Sequence, residues 1–488
     1  MSSGPFSLHA RRWWVLAVLS VTQLMVALDA TVINIALPWA QRDLHFSLAD
    51  RQWPVTAYAL AFGSLLLLGG RLVDLWGRRT SLLVGLIGFA GASVVGGMAT
   101  SFSMLVSARA VQGVFGALLA PAALAALSTT FHEPVERATA FSIYGVVGGS
   151  GAAVGLVLGG ALTQWSSWRW CLYINLIFAV LSLIGVWVFV SSNRGEHRAP
   201  LDVVGTVLAS AGLFLVVFGF GHAVTSSWSN AVTWGSLSLG GLVLAGFVAW
   251  QARSAHPLLP LRILTNRTRA GSLVALFLTT ISIFALTLFL AYYLQGTLGY
   301  SPLRTGIVFM PMVAALGLSA ALASARLLAM VGPRPLVPVG MLLGMLGMVL
   351  FTKLTPHSNY LDHVLPGLIV TGLGLGLVFA PAIASATAGV RHADAGAASA
   401  LVNTAQQIGS SIGVALLNTI AVTVTARALA HAPDNSLDSA RLATLHGYAV
   451  AFWWAAGSFG VGAIVSFLLL ESGAVDQGES LDQISGQG

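Results

Sequence analysis

Between residues 13 and 470 the chain returns again and again to apolar runs of about 20 residues, the length that an α-helix needs to cross the ~30 Å hydrocarbon core of a bilayer. Fourteen such runs are read, near 13–37, 54–73, 81–100, 104–128, 138–163, 170–191, 201–222, 231–251, 270–293, 304–330, 335–353, 364–389, 397–425 and 446–470. Only 8% of the residues are charged and 56% are hydrophobic, where a soluble chain carries about a quarter charged residues. The expected class is an all-α polytopic membrane protein. The start, "RRWWVLAVLSV", is too long and too polar at Asp29 for a cleaved leader and reads as the first span. The single cysteine, Cys171, excludes an intramolecular disulfide and reads as a small buried residue.

The net charge of +7 does not point to nucleic acid, because the basic residues fall in short segments between apolar runs. With the N-terminus inside, fifteen basic residues lie on the inner side and seven on the outer, and Arg109 lies within a span. That bias places both termini in the cytoplasm and favours an even number of crossings. An internal repeat supports the same plan. "GRLVDLWGRRTSLLVG" (70–85) aligns without gaps on "ARLLAMVGPRPLVPVG" (325–340), and "GALLAP" (116–121) echoes "GLVFAP" (376–381). The chain divides into a six-helix bundle over 1–195, two additional helices over 196–262, a second six-helix bundle over 263–472 and a polar tail over 473–488. Repeated halves of this kind are a common plan of secondary transporters.

Two charges stand out because they lie where charge is expensive. Asp29 interrupts "VALDATVINIALP" (26–38), seventeen residues beyond Arg12. At ~1.5 Å per residue it stands ~25 Å above the inner face, in the outer half of the core. The fourth run descends from outside, so Arg109 stands ~22 Å up, at a similar depth. An ionisable residue inside a bilayer usually pairs and faces a cavity. The expectation is that Asp29 sits beside Arg109 on a water-filled pathway, either as a structural ion pair or as a proton site. Burial disfavours ionisation of a carboxyl and a cation favours it, so a change in either can load or unload a proton.

Elsewhere the readings are less specific. Gly151, Gly155 and Gly159 fall four apart on one face, with Gly160 beside them, spacing that lets helices approach closely. Asn403, Gln406, Gln407 and Ser410 share a face of the thirteenth run, with Ser411 next to it, and would serve either a substrate or neighbouring helices. Lys353 is the only lysine, so there is no G-x-x-x-x-G-K-[ST] loop for ATP. Catalytic, metal and cofactor motifs are absent from the sequence, and no enzyme activity is expected.

Several stretches together resemble the fourteen-helix drug:proton antiporters (EmrB/QacA type) of the major facilitator superfamily. They are "LDATVINIALP" (28–38), "GRLVDLWGRR" (70–79), "RAVQGVFG" (109–116), "GSGAAVGLVLGG" (149–160), "WRWCLYIN" (168–175), "YYLQGTLGYSPLRTG" (292–306) and "SALVNTAQQIGSSIGVALL" (399–417). The resemblance implies two six-helix bundles plus two extra helices. It also implies proton-coupled export of hydrophobic small molecules, such as drugs or antibiotics, across a bacterial plasma membrane by alternating access. Its implied partners are that substrate, the proton and the lipid bilayer, with no nucleic acid and no cofactor, and a monomer is the expected state. Asp29 and Arg109 become the proton-coupling residues, and Gly70, Asp74, Gly77, Arg78 and Arg79 a cytoplasmic gate loop. Gly151, Gly155, Gly159 and Gly160 become the helix-packing antiporter motif. Asn34, Gln112, Tyr292, Gln295, Asn403 and Gln407 are candidates for lining a substrate cavity. Leu156 and Ile177 stand where this type usually has proline, which removes the kinks that those prolines would make. Export of one endogenous metabolite, or a non-transporting membrane sensor or scaffold, are the alternative functions.

Overall fold

The computed structural model describes residues 8–47, 50–131, 133–191, 202–225, 228, 230–254, 257, 259, 261–388, 390, 395–431 and 436–471. Among these, all regular structure is helical. The long helices are α1 (Leu8–Leu44), α2 (Trp53–Trp76), α3 (Arg78–Gly97), α4 (Phe102–Thr130), α5 (Pro134–Trp165), α6 (Trp170–Phe189), α7 (Val203–Thr225) and α8 (Ala231–Gln251). After them come α9 (Arg267–Thr297), α10 (Pro302–Leu322), α11 (Pro333–Phe351), α12 (Tyr360–Thr387), α13 (Ala395–Ala430) and α14 (Leu437–Leu469). Twelve helices are long and apolar enough among the described residues to cross a membrane, and the chain is a multi-pass membrane protein. The expected number of crossings was fourteen. The two runs outside the twelve lie on α2 and α5, helices of 24 and 32 residues in which some side chains lie outside the described residues.

Helix starts follow local chemistry. Ser101 caps α4 by accepting from Met104 N, Asn230 caps α8 from Val232 N, and Ser436 caps α14 from Ser439 N. Each side-chain oxygen satisfies a backbone donor that a first turn leaves open. Proline opens α2, α5, α10 and α11, where a missing N–H costs nothing. The two halves of the repeat turn in the same way. Gly77 (φ 82°) joins α2 to α3 and Gly332 (φ 73°) precedes α11, both in the left-handed region that a side chain disfavours.

The chain forms two compact units. The first comprises Met1–Leu258 with Thr287–Met310 and Val414–Thr419, and the second comprises Leu259–Leu286, Pro311–Gly413 and Ile420–Gly488. In the first, α1 packs on α5 and α6, α2 on α4 and α7, and α3 on α4 and α6. Leu19, Met25, Leu86, Phe89, Leu119 and Phe131 fill its interior. At the first turn of α7, Asp202 accepts from Gly205 N (2.8 Å), Trp250 Nε1 (2.7 Å) and Gln251 Nε2 (2.6 Å), which ties α7 to α8. In the second, α11 packs on α12 and α14, and α13 meets α9 through Gly409 and Gly413. Surfaces that turn outward carry Ile184 and Trp187 on α6, Leu242 on α8, Leu318 on α10 and Ile464 on α14. Apolar residues on both the inside and the outside suit lipid rather than water as the surrounding solvent.

Candidate functional site

α1 carries Asp29 into the centre of the first unit, and the glycine row of α5 sets how close the neighbouring backbone comes. A Cβ on Gly151 would lie 2.9 Å from the Ala27 side chain, and one on Gly155 2.9 Å from the Leu28 carbonyl. At Gly159 it would lie 2.7 Å from the Val32 carbonyl. The row therefore lies flush along residues 24–32, the stretch that contains Asp29. Gly160 performs the same service against Pro302, and Leu156, buried, lies with its carbonyl against Gly306. Gly159→Ala is expected to push α1 and α5 apart and to cost about 1–3 kcal/mol of stability. A lower thermal midpoint of the detergent-solubilised protein, with reduced transport, would register this.

α4 begins at the Ser101 cap, which places Arg109 two turns into the helix, facing α1. The Arg109 Nη1 lies 2.6 Å from Asp29 Oδ2, and neither side chain has any exposed surface. The guanidinium makes three further contacts: Nη1 donates to Gln112 Oε1 (2.9 Å), Nε donates to the Pro54 carbonyl (3.1 Å), and Cζ lies 4.4 Å from the centre of the Tyr58 ring. Asp29 Oδ1 accepts from Asn175 Nδ2 (2.6 Å) and Gln112 Nε2 (3.2 Å). Ser93 on α3 completes the cluster, accepting from Gln112 Nε2 (2.6 Å) and Asn175 Nδ2 (3.3 Å) and donating to the Phe89 carbonyl (2.8 Å). Side chains and backbone from five helices thus meet round one ion pair. In a low-dielectric interior such a pair holds only when its remaining hydrogen-bonding groups are also served.

The structure brings Asp29 and Arg109 together but seals them, where an open watery path was expected. The flush α1–α5 contact and the packing of α2, α3, α4 and α6 around the pair leave no route to its atoms. Gln112, expected at a substrate cavity, belongs to the ion-pair network, because three residues along α4 bring it to the same face as Arg109. Asn34 is buried on α1, and neither its amide nitrogen nor its amide oxygen has a partner among the described residues. Tyr292 is buried under the Arg51 guanidinium, 4.2 Å from its ring, and Arg51 in turn donates to Gln41 Oε1. Gln295 stands in a π-helical turn, Tyr293–Thr297, and donates to the Ile35 carbonyl (3.3 Å). It lines a recess of about 380 Å³ with Trp39, Arg42, Gln164, Tyr300 and Pro302. Asn403 and Gln407 lie half-buried on α13; Ser410 there is buried, while the Ser411 side chain lies outside the described residues.

In the 70–79 loop, Arg78 donates to Thr129 Oγ1 on α4 and Arg79 to the Trp187 carbonyl on α6 (2.8 Å). A Cβ on Gly70 would meet Pro121 at an ordinary 3.8 Å and Gly77 forms the turn, whereas the Asp74 side chain, like the 473–488 tail, lies outside the described residues. Sequence reasoning passed over Asn175, Ser93 and Tyr58. Asn175 had a signal, as an amide within the apolar run that follows "WRWCLY". Ser93, in the small-residue stretch "GASVVGG", had none.

A helical unit built round a buried ion pair has known relatives. The sequence profile of the Major Facilitator Superfamily matches residues 19–414. The chain belongs to the Major Facilitator Superfamily. It is a transporter and not an enzyme. It is 46% identical over 467 residues to the puromycin resistance protein pur8 of Streptomyces alboniger, covering 95% of this chain and 92% of that one. It is 38% identical over 399 residues to the cephamycin export protein CmcT of Amycolatopsis lactamdurans, covering 81% and 82%. With the multidrug efflux pump LfrA of Mycolicibacterium smegmatis it shares 32% over 410 residues, covering 84% and 81%. Among solved structures, a bacterial homologue of the human lysosomal transporter Spinster, inward-facing and unoccupied, matches with a TM-score of 0.66 at 16% identity. That match covers 96% of this chain and 98% of the other, and at this identity it speaks for the fold.

Proposed function

We propose that this protein is a proton-coupled antiporter that exports hydrophobic small molecules, antibiotics among them, from a bacterial cell. The observation that carries the reading is Asp29: a carboxylate with no exposed surface, held by one guanidinium and two amides within a membrane span. Such a group is costly to keep ionised in a dry interior and becomes cheap to keep when it is protonated. Alternate exposure to the two sides of the membrane would load it on one side and unload it on the other. The names of the relatives, a puromycin resistance protein and a cephamycin export protein, support antibiotics as the cargo. The protein is placed in the plasma membrane with fourteen crossings and both termini cytoplasmic. The lengths of α2 and α5 and the arginine bias support that topology.

Efflux of a compound panel from everted membrane vesicles, with pH and sodium gradients imposed separately, tests the reading. Export driven by the pH gradient alone is the expected result, and export that follows sodium would reject proton coupling. The same panel addresses a narrower function. Relatives named for one compound, such as a probable actinorhodin transporter, favour export of a single metabolite, and transport of only one chemical type would favour that reading.

The charge count bears on the cargo. Of sixteen acids only Asp29 stands deep within a span, and Arg109 already balances it. An unbalanced buried charge costs several kcal/mol. Contact with aromatic faces returns only about 0.5–2 kcal/mol per cation. Neutral and singly charged hydrophobic compounds are therefore expected to outcompete a bis-cation of similar size by at least about tenfold. Efficient export of the bis-cation by an Asp29→Asn variant would refute the charge argument.

A further inference from the structure

Asn175 touches Asp29 and carries an atom that no described residue holds. Its Nδ2 serves Asp29 Oδ1 and Ser93 Oγ, while its Oδ1 is buried without a partner among the described residues, in a side chain that has no exposed surface. Buried polar atoms are nearly always paired, so an orphan in the centre of a polar cluster calls for a reason.

The reason lies in the two chemical states of the carboxyl. Ionised, Asp29 only accepts, and the arrangement supplies three donors to it. Protonated, it also donates, and the new O–H needs an acceptor. Oδ2 faces Arg109, which has none to offer, so the proton belongs on Oδ1. Of the two amides at Oδ1, Gln112 has its oxygen engaged by Arg109 and its nitrogen by Ser93. Only Asn175 brings an unengaged oxygen. The terminal torsion of an asparagine is broad and roughly two-fold, so turning the amide over exchanges nitrogen for oxygen without moving the backbone.

We propose that Asn175 is a reversible amide that positions Asp29 in both protonation states, donating to the carboxylate and, turned over, accepting from the carboxylic acid. This rests on reading Asp29 as the proton carrier. In the loading step a hydronium ion from the aqueous phase gives its proton to Oδ1 and leaves as water. The Nδ2–H···Oδ1 hydrogen bond breaks, and an O–H bond forms that donates to Asn175 Oδ1. Unloading runs in reverse. The charged and titratable groups round the carboxyl are Arg109 from α4 and, across the guanidinium, Tyr58 of α2; on α6 the Cys171 thiol turns to Thr163 and the Gly159 carbonyl. α3 presents Ser93, and α5 presents its glycine row. Ser93 already accepts twice and Tyr58 stacks on the guanidinium, so the unengaged oxygen on a group that touches Oδ1 is that of Asn175. Asn175 is a positioning residue of the coupling site, and its effect should appear in a pH profile as well as in rate.

The test is infrared spectroscopy of the full-length protein in lipid vesicles during a pH titration, with the Asp29 carboxyl band assigned by its loss in Asp29→Asn. Asn175→Leu keeps the side-chain size but neither donates nor accepts, and Asn175→Ser does both. The removed donor had favoured the ionised form, so in Asn175→Leu the protonated-carboxyl band should persist to about one pH unit higher than in wild type, a tenfold change in proton activity. Its frequency should also change, because the O–H has lost its acceptor. Asn175→Ser should stay close to wild type. A leucine variant that titrates with wild type at an unchanged frequency overturns the inference. Should the leucine variant fail to reach the membrane, ¹³C-labelled asparagine gives a second measurement on the wild type. The Asn175 amide C=O band, assigned through Asn175→Ser, should move on acidification and stay still in Asp29→Asn; a band that never moves overturns the inference equally. Both readouts are independent of transport. Wild-type export that ignores pH would sink the coupling reading alone, and intact pH-driven export with an immobile Asn175 band would sink the amide role alone.

Discussion

Asp29→Asn is expected to reduce gradient-driven export to background while the protein still inserts and folds. The amide has nearly the shape of the carboxyl, so the flush contact between α1 and α5 survives. Its oxygen can still receive Arg109 Nη1, and its nitrogen can face the Asn175 oxygen that otherwise has no partner. The positive charge left behind is still met by Gln112 Oε1, the Pro54 carbonyl and the Tyr58 ring. What the variant cannot do at any pH is give up or regain a proton. Uphill export should vanish, whereas binding and downhill exchange, which need no proton cycle, should persist. The measurement is accumulation of a labelled substrate in everted vesicles at matched expression, read with and without an imposed pH gradient.

Arg109→Ala should do different and broader damage. It leaves Asp29 buried without its cation, and breaking a buried pair by removing one member typically costs about 3–5 kcal/mol. The stacking on Tyr58 and the bond to the Pro54 carbonyl go with it, which releases α2 as well as α1. The expected result is a sharp drop in thermal midpoint and in membrane yield. In whatever protein survives, the pH profile of transport should move to the alkaline side, because a buried carboxyl without a neighbouring cation keeps its proton more readily. Arg109→Lys should restore the charge but little of the stability, since one ammonium cannot reach Asp29, Gln112 and Pro54 with the planar fork of the native side chain. Asp29→Asn/Arg109→Ala should be more stable than Arg109→Ala alone, because it buries no unpaired charge. A double-mutant cycle on thermal midpoints measures that coupling, and a cycle that closes with none would leave the pair without energetic meaning.

The sequence made the helices and the depth of this site readable, because both follow from quantities that scale with residue number. A rise of ~1.5 Å per residue was enough to set Asp29 and Arg109 at one level from opposite ends of their helices. The glycine row was equally readable, since its four-residue spacing is a local property and the contact it makes with residues 24–32 of α1 needs no other element. Which other side chains would meet Asp29 was not readable. Asn175 and Ser93 come from α6 and α3, and their approach depends on how the helices of the unit choose partners, which hydrophobic periodicity does not encode in a chain that is apolar on nearly every face. The π-helical turn at Tyr293–Thr297 was hidden for a related reason. An extra residue in one turn shifts the register of everything beyond it, and nothing in an apolar run marks where that happens. The sealing of the pair could not be foreseen either, because it depends on the packing of six helices at once.

If Asp29 couples substrate movement to proton movement, the protons themselves should be seen to move. The purified protein is reconstituted in sealed vesicles at uniform pH with an external pH indicator and a substrate found by vesicle efflux, in sodium-free and sodium-containing buffers. A substrate gradient should then produce a proton flux in the opposite direction in wild type, of equal size with or without sodium, and none in Asp29→Asn. Substrate flux without proton movement in wild type, or undiminished proton movement in Asp29→Asn, would contradict the account.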